Sequence, residues 1–198
     1  MFIFIRLIVC IVFFLCSAAV IKRLKKANKR KLYIILTAIS IILYVLLSFF
    51  TFENLFFTFD SPESAYRYFI PGKADIELVV DGENCDLIVD HKGDSDTLLI
   101  LPKTEHGWKI GTGSDIITVT QKLFDGISVN VYKNKNSNDH FITVLDTNEE
   151  KSKISDSYNT EFHSIENLSK NHITYYAYLI DFNTEYYLKI NGKLVTFN

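Results

Sequence analysis

Two apolar runs flank a basic cluster in the first quarter of the chain. Residues 2–21, FIFIRLIVCIVFFLCSAAVI, carry one charge, Arg6. Residues 32–52, LYIILTAISIILYVLLSFFTF, carry none. Each is close to the ~20 residues that an α-helix needs to cross a bilayer. Strands do not explain them, because a lone strand pair in lipid leaves edge N–H and C=O groups unpaired. The runs predict a two-helix transmembrane hairpin with a loop over 22–31. Lys22, Arg23, Lys25, Lys26, Lys29, Arg30 and Lys31 determine its topology by holding the loop on the cytoplasmic side.

Both ends of the hairpin are then expected outside. Arg6 lies near the outer end, where it is expected to snorkel to the headgroups. A cleaved signal peptide would use Arg6 as its charged region and Ser17-Ala18-Ala19 as its cleavage site. A polybasic segment directly after that site opposes export, and a second span follows. Lipidation at Cys16 would need small residues before it, and Phe13-Phe14-Leu15 stands there instead.

Charge changes sign beyond the hairpin. Residues 1–53 hold 8 Lys/Arg against 1 Asp/Glu, a net of +7. Residues 54–198 hold 13 against 22, a net of −9. The two parts belong in different surroundings, which excludes a simple soluble enzyme. An acidic outer part also repels phosphate, so nucleic acid is not an expected partner. The bilayer is. Cys85 is the one cysteine of the outer part, so no internal disulfide is available there. That part must fold on its apolar core. Lys outnumbers Arg by 17 to 4, a bias that suggests a bacterial chain and deprives the Asn167-Leu168-Ser169 sequon of meaning.

Residues 53–60 read as a juxtamembrane connector whose Phe residues rest at the membrane interface or join the core. Ser61-Pro62-Glu63 is a helix start: a capping hydroxyl, a proline suited to the first turn and an acid at the positive end of the dipole. Ala65, Tyr66, Phe69 and Ile70 form its apolar face, and Pro71-Gly72 stops it. From residue 74 the pattern is β. DIELVV, CDLIVD, TLLILP, HGWKI and DIITVT come first. GISVNVYK, HFITVLD, a weak KSKIS, TEFHSI, ITYYAYLI, EYYLKI and KLVTF follow. Asp81-Gly82 and Asn191-Gly192 read as hairpin turns. The expected fold is therefore a transmembrane hairpin followed by a mostly-β outer domain. That domain comprises a short helix with a β-meander over 60–122, then sandwich-like strands over 123–198. One continuous β domain is the alternative.

The SPESAYRYF helix, a β run and then HGWKI resemble a pattern in small uncharacterised membrane-anchored envelope proteins of Gram-positive bacteria. The resemblance covers residues 61–110. The closing ITYYAYLIDFNTEYYLKING is similar to the last hairpin of an immunoglobulin-like bacterial module. Neither resemblance implies an activity.

No recognisable catalytic motif or phosphate loop is present, and no residue is assigned a catalytic, cofactor-binding or metal role. Asp81, Glu83, Asp86, Asp90, Asp94 and Asp96 read as solvated turn carboxylates, because their spacing does not match a calcium loop. His163 and Glu166 would share a face on a helix, and Asp139-His140 is another His/carboxylate pair. A hydrolase would require Asp90, His91, His140 and His163 to gather in one pocket. Gly111-Thr112-Gly113 reads as a hairpin turn, since no helix follows it. Trp108 reads as a core anchor. Tyr175, Tyr176, Tyr178, Tyr186 and Tyr187 suit strands, and an exposed set would also make an interaction surface. Alternation puts Tyr176 and Tyr178 on one face and Tyr175 on the other.

The functional expectation is a non-enzymatic binding or interaction module of the cell envelope, facing an envelope protein or a cell-wall polymer and needing no cofactor. The alternatives are an accessory or immunity-type protein working through its hairpin, and an envelope hydrolase.

Overall fold

The computed structural model describes residues 2–24, 28–49, 51–70, 74–92, 95–148, 151–167 and 171–197. They fall into two compact units: 2–57 with 68–70, and 58–67 with 74–197.

The first unit is built on α1 (Phe2–Arg23) and α2 (Lys29–Phe49). At 22 and 21 residues both are long and apolar enough to cross a membrane. Their lengths, about 33 and 31 Å at the α-helical rise, match a hydrocarbon core about 30 Å thick. Lys22 and Arg23 occupy the last turn of α1, where cations favour the negative dipole end. Lys29 Nζ donates to the Lys22 carbonyl at 3.2 Å, and Asn28 Oδ1 accepts from the Lys31 N–H at 3.4 Å. Lys25 and Lys26 lie outside the described residues. The second helix ends at Phe49, and a 3-10 turn, Phe52–Leu55, follows it.

The second unit is almost wholly β, apart from α3 (Pro62–Phe69), which begins in it. Ser61 Oγ accepts from the Ser64 N–H at 3.2 Å, the expected cap. Pro71-Gly72, the expected stop of this helix, lies outside the described residues. Its strands are β1 (Ile76–Val80), β2 (Cys85–Lys92), β3 (Ser95–Thr104), β4 (Gly107–Trp108), β5 (Ile116–Phe124), β6 (Ile127–Asn134), β7 (His140–Asp146), β8 (Ile154–Asp156), β9 (His163–Asn167), β10 (His172–Leu179), β11 (Tyr187–Ile190) and β12 (Lys193–Thr196). Each β run of the sequence overlaps one of them.

Three antiparallel sheets result, in the orders β1-β2-β3-β4, β5-β6-β7-β10-β9 and β12-β11-β8. The five-stranded sheet has a core on each face, and the period-2 alternation of its strands sends side chains to the two in turn. Val129, Val131, Ile142, Val144, Tyr175 and Ala177 pack with Leu188, Ile190 and Val195 of the three-stranded sheet. Phe141 and Tyr176, one residue out of phase, pack with Leu87, Val89 and Ile100 of the four-stranded sheet. This is why β10 and β7 read as nearly continuous apolar runs: both faces of each are buried.

Residue 122, the expected end of the meander, lies within β5. That strand pairs with β6 across Asp125-Gly126, whose φ values of 46° and 74° make a turn that the sequence reading did not single out. Asn191-Gly192, at 51° and 81°, makes the turn expected between β11 and β12. Gly111-Thr112-Gly113 is not a hairpin turn. β4 pairs back on β3 and β5 pairs on β6, so the segment carries the chain from one sheet to the next through a 3-10 turn at Gly113–Asp115. Thr112 and Asp115 cap that turn reciprocally.

Candidate functional site

The tyrosines do not assemble an exposed face. Tyr175, Tyr176 and Tyr186 are buried, and Tyr178 and Tyr187 are half-buried. Tyr176 and Tyr178 do lie opposite Tyr175, but each face is covered by another sheet. Their hydroxyls tie the layers together. Tyr175 donates to the Ser152 carbonyl at 3.1 Å and Tyr176 to Asp96 Oδ2 at 2.8 Å. Tyr186 joins a ring cluster with Tyr158, Phe182 and Phe197.

The acidic residues divide in a way the sequence reading did not expect. Asp81 and Glu83 are exposed, while Asp86 and Asp90 are buried and Asp96 half-buried. Asp94 lies outside the described residues. Asp90 Oδ2 accepts from the Tyr66 hydroxyl at 2.8 Å. Asp86 accepts from Trp108 Nε1 and from the Gly82 N–H, with Lys103 Nζ 3.7 Å away. Burial pushes the Asp86 carboxyl above its ordinary range, against the opposing pull of Trp108, Gly82 and Lys103. Trp108 is thus a half-buried ring pinned by its N–H. Asp139 takes the backbone N–H groups of Asn84 and Cys85 at 2.5 and 2.7 Å. These carboxylates replace solvent with tyrosyl, indolyl and amide donors, so they are structural groups.

The histidines are engaged separately. His163 lies on strand β9, so the helical pairing with Glu166 does not arise. His140 packs 5.2 Å from the Phe182 ring, and burial lowers its pKa from 6.5. His91 Nδ1 lies 2.8 Å from Asp96 Oδ1, and that hydrogen bond raises its pKa from 6.5. Among the described residues, no three His, Cys, Asp or Glu side chains converge as a metal-ligand set.

The two shifts predict opposite pH behaviour. NMR titration of the full chain should show His91 with a midpoint above 6.5 and His140 with one below it. The His91 contribution to stability is present below its unfolded pKa and is lost as pH rises through the folded one. That of His140 has the reverse sign, growing with pH between its folded and unfolded values. Asp96→Asn should return His91 toward 6.5, and an unmoved midpoint would contradict the pairing.

Cys85 yields a second check. Burial pushes its thiol up to about 11. Iodoacetamide at pH 8 should leave Cys85 unmodified in the folded chain and modify it fully in denaturant, as read by peptide mass. Rapid labelling without denaturant would contradict its burial.

The hairpin holds a feature that sequence reasoning missed. Arg6 does not snorkel: it is 2% exposed and pairs with Glu53, which is 1% exposed. Arg6 Nε donates to Oε1 at 3.3 Å and Nη2 to Oε2 at 3.2 Å, a two-pronged fit suited to a guanidinium. The Phe52 ring lies 5.6 Å from the guanidinium carbon. Burial raises the Tyr68 phenol, the Glu53 charge adds to the rise, and Arg6 opposes it. A signal was there to be read. Glu53 is the one acid among residues 1–53, and Arg6 is the one charge in the first apolar run.

A half-open polar cleft of about 210 Å³ lies beside the ends of β7 and β9 and the start of β10. Asn148, Asn167 and Asn171 line it with His172 and the Lys151–Glu166 ion pair. The Asn148 amide is already engaged, donating to the Asp125 carbonyl at 3.3 Å and to Asp146 Oδ1 at 2.8 Å. No protein-family model matches this sequence, and no curated protein or solved structure is significantly similar to it.

Proposed function

We propose that this chain is a two-pass membrane protein of a bacterial cell envelope, with both termini outside and its acidic β unit serving as a non-enzymatic interaction module. The partner class is an envelope protein or a cell-wall polymer. The carrying observation is the division of labour among the charged groups. The basic residues cluster at the turn between two apolar helices, whereas the buried aspartates of the β unit are engaged in holding its sheets. The positive-inside bias orients the hairpin, and the resemblance of residues 61–110 to Gram-positive envelope proteins agrees with it. The polar cleft beside Lys151 and Glu166 is the contact surface this reading favours.

Crosslinking from Asn171, on the exposed wall of the cleft, tests the reading in intact cells. A photoreactive side chain there should capture an envelope component, and the same group at Asp125 should not. Equal capture at both positions would remove the cleft from the account.

The Arg6–Glu53 pair favours a second reading, in which the hairpin is the working part of an accessory or immunity-type protein. A bare anchor needs no buried ion pair. Replacing both helices by an unrelated hairpin separates the two readings: capture at Asn171 survives in the first and is lost in the second.

A further inference from the structure

Between Lys31 and Asp60 the chain has one charged residue, Glu53, and its side chain is turned inward onto Arg6. The rest of this stretch is apolar or uncharged. Glu53 is the buried residue of the 3-10 turn Phe52–Leu55, and Leu55 and Phe56 stand at the end of that turn with their side chains in the open. They are 82% and 77% exposed, more than the apolar side chains along α2. The turn is held on both sides. The Glu53 carbonyl accepts from the Phe56 and Phe57 N–H groups at 2.9 and 3.2 Å, while its carboxylate holds Arg6. Phe57 packs edge-on against Tyr68, with ring centroids 5.9 Å apart.

We propose that Leu55 and Phe56 form a rigid wedge seated in the outer leaflet, with the acyl-chain and headgroup boundary of the bilayer as its partner. The inference rests on the two-pass reading above. Ile41, Ile42, Val45 and Leu46 present an exposed apolar surface along α2, and the wedge follows in the 3-10 turn after that helix. A helix about 31 Å long ends at the level where aromatic side chains gather in membrane proteins. The first exposed charge comes at Asp60, which marks where the chain enters water. The ion pair gives the wedge its function: it withdraws the one local charge and fixes the backbone that aims the two side chains outward.

The test uses the full chain in phosphatidylcholine–phosphatidylglycerol vesicles, with Cys10 and Cys16 replaced by Ser and the buried Cys85 retained. A nitroxide is placed in turn at Phe56, Asp60 and Ile42, and its collisions with oxygen and with a water-soluble nickel chelate are compared. The wedge predicts that positions 56 and 42 favour oxygen and that position 60 favours the chelate. If 42 favours oxygen while 56 favours the chelate, the wedge is wrong and the two-pass reading stands. If 42 also favours the chelate, the two-pass reading fails, and the wedge with it. A label at 56 shielded from both reagents would mean that a second copy covers the site, and would overturn the lipid assignment. The variant Leu55→Asp/Phe56→Asp supplies a second readout. It should move a label at Thr58 toward the chelate, and an unmoved label would contradict the wedge.

Discussion

Glu53→Ala is expected to destabilise the helical hairpin by about 3–5 kcal/mol, the cost of leaving a buried charge without its partner. The guanidinium of Arg6 is 2% exposed and has its Nε and Nη2 on the two carboxylate oxygens. Removing the carboxylate takes both of these bonds from a charge held in a region of low dielectric, where salt does not screen it. Arg6→Ala is expected to be damaging for the converse reason. The double variant Arg6→Met/Glu53→Leu should recover much of the loss, because an apolar pair of similar volume removes both buried charges together. Dodecyl sulfate titration of the full chain in mixed micelles, read by helical circular dichroism, measures all four forms. The account expects a strong coupling between the two positions. Single variants as stable as the parent would show that the pair contributes nothing.

Asp139→Ala is expected to cost the β unit about 3–5 kcal/mol, since hydrogen bonds to a charged group contribute about 1.5–3 kcal/mol each. Asp139 stands in the loop before β7 and reaches the turn between β1 and β2. One oxygen accepts from the Asn84 and Cys85 N–H groups, and the other from Asn84 Nδ2 at 3.1 Å. Space around the clamp is tight: a Cβ on Gly82 would meet the Cys85 carbonyl at 2.3 Å. Asp139→Ala takes the acceptor from the buried Cys85 N–H and the part-buried Asn84 N–H, whereas Asp139→Asn keeps one acceptor oxygen and should lose less. Urea unfolding followed by Trp108 fluorescence reads the difference. Equal midpoints for Ala, Asn and the parent would contradict the clamp.

Local features of this chain were legible from residues alone. The ITYYAYLI run announced a strand with Tyr175 on one face and Tyr176 on the other, and the structure buries both. Asn191-Gly192 announced its turn because both positions need positive φ. What stayed hidden depends on which distant elements meet. Asp86 and Asp90 look like turn carboxylates in sequence, and only the approach of Trp108 and Tyr66 makes their burial tolerable. The Gly111–Gly113 segment resembled a hairpin because a strand precedes and follows it. Sheet order, which spacing does not encode, sends those strands to different sheets. Glu53 was hidden for the same reason, since its partner is 47 residues away.

The orientation of the hairpin carries the functional reading, and one labelling measurement tests it. In a chain with Cys10 and Cys16 replaced by Ser and with Cys85 left buried, a single cysteine is placed at the exposed Asn136. A second form carries it instead at Asn28, in the basic turn. Intact cells are treated with a membrane-impermeant maleimide and then lysed. The account predicts labelling of position 136 before lysis and of position 28 only after it. Labelling of 28 before lysis, with 136 protected, would invert the hairpin and place the β unit in the cytoplasm.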